Sequence, residues 1–99
     1  MMKVAVIGGL SRAGRQWERA GNDLGVELEQ HDGRRTGTLA AVVRRADLVI
    51  AITLPNCHNA VVTARHVATA HGKTFVLVNR LSPSGLGAVV ANALQLPVR

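Results

Sequence analysis

Cys57 and His58 stand side by side, a thiol and an imidazole, the residue types of a nucleophile and its base or of a metal site. Two other groups carry comparable chemistry. Gly8-Gly9-Leu10-Ser11-Arg12 sets glycines, which let a ligand approach the backbone, beside a mobile cation. His31-Asp32-Gly33 joins an imidazole to a carboxylate and is followed by Arg34 and Arg35. Each group comes directly after a short run that reads as a strand. In an open parallel sheet such junctions share one edge, the carboxyl ends of the strands, where α/β proteins bind ligands. Segments far apart in sequence then form a single site.

Spacing narrows the chemistry. The Gly8–Gly14 segment lacks the G-x-G-x-x-G pattern of a dinucleotide site. It also lacks the Lys-Ser/Thr pair of a Walker A loop, since Arg15-Gln16 follows Gly14. What remains is either a generic anion cradle at a helix start or a tight strand-to-helix turn. Asp32 stands where an acid holds a ribose hydroxyl in dinucleotide enzymes, with Arg34 and Arg35 near enough to hold a phosphate. It equally suits an Asx-Gly turn. Neighbouring residues on a helix point about 100° apart, so Cys57 and His58 are poorly set to act together. No second cysteine or carboxylate cluster completes a zinc shell. His58 alone is better situated, in the first turn of its helix, where the positive dipole end favours the neutral imidazole that ligates iron or accepts a proton. The competing reading is a polar loop histidine. His66 and His71 lie further from that edge and read as surface residues, and Trp17 reads as core before it reads as a cover for a flat ligand.

The elements that must position these groups alternate. Lys3 to Ile7 is a continuous β-branched run, as in a strand buried on both faces. Ser11 caps a helix reaching about Leu24, which carries Trp17, Ala20 and Leu24 at helical spacing and is closed by Gly25. Val26 to Gln30 alternates apolar and polar residues, as an edge strand does. Thr38 caps a short helix, Leu39 to Arg45, with Arg44 and Arg45 at the negative end of its dipole. Asp47 to Ile52 is the clearest buried strand; a helix from Cys57 to Ala70, a strand from Thr74 to Val78 and a helix from Leu86 to Leu94 follow. The order βαβαβαβα and right-handed crossovers predict one α/β domain over residues 1–99: a doubly wound, three-layer fold with four parallel strands ordered 2-1-3-4.

Composition sets outer bounds. Ninety-nine residues, 47% hydrophobic, make one globular domain with a modest core. Trp17 and Phe75 are its only aromatics. Twelve basic residues against six acidic give +6, and ten of the twelve are Arg, whose planar fork suits anionic ligands. These arginines are dispersed and no aromatics interleave with them, so nucleic acid is not expected. A lone cysteine points to a reducing, cytoplasmic setting, and no apolar stretch has the length of a membrane span. A small sheet with two open edges predicts a homodimer.

The ordered set Gly8-Gly9-x-x-Arg12, His31-Asp32-Gly33, Ala46-Asp47-Leu48-Val49-Ile50, His58-Asn59-Ala60 and Gly72-Lys73 resembles the small bacterial family called domain of unknown function 2325, over nearly the whole chain. The resemblance implies a compact Rossmann-like (flavodoxin-like) fold, a cytoplasmic location and, in some members, haem bound by dimers. It carries over Gly8, Gly9, Arg12, His31, Asp32 and His58. Cys57 departs from the small or hydroxyl residue expected there, so a thiol mechanism gains nothing.

Together these features predict a dimeric binding protein that holds haem, and with it a diatomic gas, through His58 as metal ligand. Val and Leu walls and Arg12, Arg34 or Arg35 would meet the porphyrin and its propionates. The rivals are a nucleotide- or phosphate-binding regulatory module and a pure interaction domain. An independent enzyme is least expected, since a second domain normally supplies the catalytic groups. Because neither phosphate signature is complete, nucleotides should bind weakly or not at all. Calorimetric titration checks this, and a sub-micromolar affinity would promote the regulatory module.

Overall fold

Leu48-Val49-Ile50-Ala51-Ile52 is buried at every position, and Val4 to Ile7 matches it. Such runs cannot alternate apolar with polar residues, because helices cover both faces of a parallel sheet. The computed structural model describes residues 2–8, 14–31, 36–53 and 58–93, with the backbone alone at 14, 15, 36, 58, 59 and 83. Strands β1 (Lys3–Ile7), β2 (Glu27–His31), β3 (Leu48–Ile52) and β4 (Thr74–Val78) alternate with helices α1 (Gly14–Leu24), α2 (Thr36–Arg45), α3 (His58–Ala70) and α4 (Leu86–Ala93). A 3₁₀ turn, Pro83–Gly85, leads into α4. All pairings are parallel, in the order β2-β1-β3-β4. The expected α/β architecture and strand order are what the structure shows.

Alternation along the strands divides the core into two layers. Val4, Val6, Leu48, Ile50 and Ile52 pack with Trp17 of α1 and with Leu86 and Val90 of α4. Ala5, Ile7, Val49 and Ala51 pack with α2 and α3 on the opposite face. On α3 the buried positions are Ala60, Ala64 and Ala68, one residue every helical turn, and these small side chains let the helix lie close to the sheet.

Two glycines set where strands restart. Gly25 has φ +71°; its N–H donates to Asn22 O and the Val26 N–H donates to Gly21 O, which closes α1 in a Schellman turn. Gly72, at φ +66°, closes α3 in the same way through Gly72 N–H to Thr69 O and Lys73 N–H to Ala68 O. Both turns deliver the chain to the amino edge of the sheet. There the Asp47 N–H donates to Lys3 O, while the Lys3 N–H donates to Asp47 Oδ2.

Some boundaries differ from the sequence expectation. α2 begins at Thr36, so Thr38 lies within its first turn and is not its cap; its hydroxyl is bonded to His31 instead. β2 runs from Glu27 to His31, because Val26 is consumed by the Schellman turn and the Gly8 N–H extends the ladder to His31 O. β3 starts at Leu48, since Asp47 turns its carboxylate onto Lys3. Ser11, Cys57 and Leu94, expected at helix ends, lie outside the described residues.

Gly21 is buried in the middle of α1, where glycine costs helix stability. A Cβ there would lie 2.8 Å from Leu28 Cβ, so α1 approaches β2 closely only because position 21 lacks a side chain. Gly21→Ala should therefore destabilise the fold by about 1–3 kcal/mol, despite alanine's higher helix propensity. Urea unfolding at unchanged m-value checks this; a stabilised variant would show that the contact yields without cost.

Candidate functional site

The strands finish level with one another. Ile7 of β1 is opposite His31 of β2 on one side and Ala51 of β3 on the other. The connection after β1 leads toward β2 and the chain then returns to the far side of β1, so the order reverses between β1 and β3. Connections that diverge there leave a crevice at the carboxyl edge.

Gly8 is the described residue nearest that reversal. It is buried and adopts φ +98°, a region that side chains disfavour. Its peptide groups are held from β2: the Gly8 N–H donates to His31 O at 2.7 Å and Gln30 Nε2 donates to Gly8 O at 3.2 Å. His31 in turn shares a 2.8 Å hydrogen bond between Nε2 and Thr38 Oγ1, which joins the end of β2 to the first turn of α2. On the other side of the crevice, the Thr53 hydroxyl donates to Asn79 Oδ1 at 3.1 Å and ties together the ends of β3 and β4. These polar contacts hold the carboxyl edge in register.

Of the residues singled out in the sequence, Gly8 and His31 meet through a direct hydrogen bond. His58 is the first residue of α3, on the chain that leaves β3 at the same edge. Gly9, Arg12, Asp32, Arg34, Arg35 and Cys57 lie outside the described residues. His66 and His71 are exposed, the latter in the turn just past α3. Trp17 is 2% exposed and belongs to the core, as its helical spacing implied. Its indole Nε1 has no hydrogen-bond partner among the described residues. Asp47 and Gly72-Lys73 sit at the opposite, amino edge, where their bonds are structural.

Sequence reasoning passed over Gln30, Thr38, Thr53 and Asn79. Two signals were present: a polar residue one short of the end of β2, and a Thr directly after the all-apolar β3. Neither names a partner, because each partner comes from another element. Among the described residues no group of three or more His, Cys, Asp or Glu side chains is arranged to hold a metal ion. No described helix is long and apolar enough to cross a membrane.

Residues 3–93 match a family described as "uncharacterized protein conserved in bacteria (DUF2325)", and the chain belongs to it. No curated protein sequence matches this one. Among solved structures the chain is similar to a 3-dehydroquinate dehydratase-like protein from Bifidobacterium longum, at a TM-score of 0.58 and 16% identity over 96% of this chain and 99% of that one. Identity this low extends to the fold alone.

Gly8→Ala tests whether the pinned turn organises the edge. It should cost about 1–3 kcal/mol, the range for a side chain forced into a disfavoured backbone region. Thermal unfolding reports the loss, and an unchanged midpoint would mean that the turn relaxes freely.

Proposed function

We propose that this member of the DUF2325 family is a dimeric binding protein that holds haem, and with it a diatomic gas, at the carboxyl edge of its sheet, with His58 as the iron ligand. The observation that carries the reading is the level ending of β1, β2 and β3, which brings Gly8, His31 and the head of α3 to the two sides of the strand-order reversal. The donor set suits the group. A neutral imidazole is a common axial ligand of haem iron, and one at the first residue of a helix is favoured in that form. His31 has its Nε2 committed to Thr38, which favours His58 of the two edge histidines. The arginines at 12, 34 and 35 follow β1 and β2 in sequence, and their planar forks suit two propionates. Bound haem would supply an iron able to take a small diatomic ligand, and His58 would hold that iron. A chain with two aromatics has little to stack on a porphyrin, so Val and Leu side chains would form the apolar walls.

The second reading is a phosphate- or nucleotide-binding regulatory module. Its support is the pinned, positive-φ Gly8, which leads toward the N-terminus of α1. The dehydratase-like neighbour lends no activity to this chain, because shared folds host unrelated chemistries.

The purified protein, reconstituted with hemin, should show a Soret band. His58→Ala should shift or abolish that band, with an unchanged circular dichroism spectrum showing that the fold is intact. His31→Ala serves as the control on the same edge, and His66→Ala and His71→Ala should be silent. A normal spectrum in His58→Ala with loss in His66→Ala or His71→Ala would overturn the site. Absence of any haem binding would overturn this function and leave only the fold.

A further inference from the structure

The two lateral edges of the sheet, β2 and β4, are unlike. β2 carries Glu27 and Glu29, and Glu29 pairs with Arg45 of α2 at 2.7 Å. Charge on an edge strand discourages another strand from adding to it. β4 reads Thr74-Phe75-Val76-Leu77-Val78 and carries no charge. Leu77 is 51% exposed. In a chain of net charge +6, Arg80 is the single charged residue between Thr74 and Val98. α4 has no charged residue either, and its outward positions are Ala88 and Asn92.

We propose that β4 pairs with β4 of a second copy, antiparallel, about a two-fold axis through Val76, so that the two sheets become one. This deepens the dimer proposed above and rests on it.

Backbone direction sets the register. The Thr53 N–H donates to Val78 O at 2.8 Å, so Val78 turns its peptide groups toward β3, as do Val76 and Thr74 by strand alternation. Phe75 and Leu77 therefore turn theirs to the open edge. Residues opposed in this way across an antiparallel pair exchange both hydrogen bonds. With the axis on Val76, Phe75 faces the partner's Leu77 and Leu77 faces the partner's Phe75. Phe75 packs on the α2–α3 layer, and Leu77, two residues on, projects from the same face. Each exposed Leu77 then lies beside an aromatic ring, a favourable cross-strand pair. The strand is thus complementary to itself, as an isologous interface requires.

The two central registers of β2 fail the same operation. An axis on Glu29 would oppose two copies of that carboxylate, and an axis on Leu28 would oppose Glu27 to Glu29. Like charges directly opposed repel. The second copy belongs at β4.

Sedimentation equilibrium of the full chain at micromolar concentration tests the assignment. Leu77→Lys adds a charge at an already exposed position. Leu77→Pro removes only an edge-facing N–H, which an edge strand tolerates. Both should raise the dimer dissociation constant at least about tenfold with an unchanged circular dichroism spectrum, whereas Glu27→Lys on β2 should leave it unaltered. As a second readout, Val76→Cys in a Cys57→Ser background should form an intermolecular disulfide on oxidation, because opposed residues on the axis are closely spaced. A wild-type dimer that survives both Leu77 variants and does not cross-link at position 76 would overturn this interface while leaving the dimer standing. A wild-type monomer would overturn both, and the Soret experiment reports on haem independently of either.

Discussion

β1 has a parallel partner on each side, and the rest of the molecule follows from that constraint. A strand paired on both edges and covered on both faces has no route to water, so Val4 to Ile7 must be apolar throughout. Parallel neighbours require crossovers, and right-handed crossovers from β1 out to β2 and then back past β1 to β3 put α1 on one face and α2 on the other. The same geometry makes β1, β2 and β3 end level with one another. The level carboxyl edge is therefore a consequence of pairing, and Gly8 and His31 inherit their positions from the ladder.

The core that supports this arrangement relies on close approach more than on large side chains. α3 lies on the sheet through three alanines, and α1 meets β2 at a glycine. Trp17 is the one large aromatic fully buried, and it brings an indole N–H that lacks a partner among the described residues. A buried donor left unpaired opposes folding by about 1–3 kcal/mol, so the apolar bulk of the ring must outweigh its polar atom. The Glu29–Arg45 pair, with both side chains about half exposed, adds at most about 1 kcal/mol. Stability resides in the two apolar layers. The hydrogen bonds among Gly8, Gln30, His31 and Thr38 serve chiefly to hold the edge in shape.

The contrast between the two sheet edges shows the same economy. β2 carries two carboxylates, whereas β4 and α4 carry no charge on a strongly basic protein. Charge is thus distributed by side of the molecule as well as by surface exposure.

Much of this was legible in the residues. Continuous β-branched runs at Val4 to Ile7 and Leu48 to Ile52 declared buried strands, and their alternation with helical segments was enough to order the sheet. Gly25 and Gly72 announced helix ends, because a left-handed residue is needed there and glycine adopts it without strain. Less was legible at the site. Thr38 looked like a helix cap, and only the tertiary structure shows its hydroxyl bonded to His31 from a neighbouring strand. Gln30 read only as the last residue of an alternating edge strand, yet its amide holds the carbonyl of Gly8 across the ladder. Periodicity and turn chemistry act between residues close in sequence, so the chain by itself determined the elements and their order. Hydrogen bonds between side chains of different elements depend on register and on small shifts of one element against another, and those only the folded structure decided.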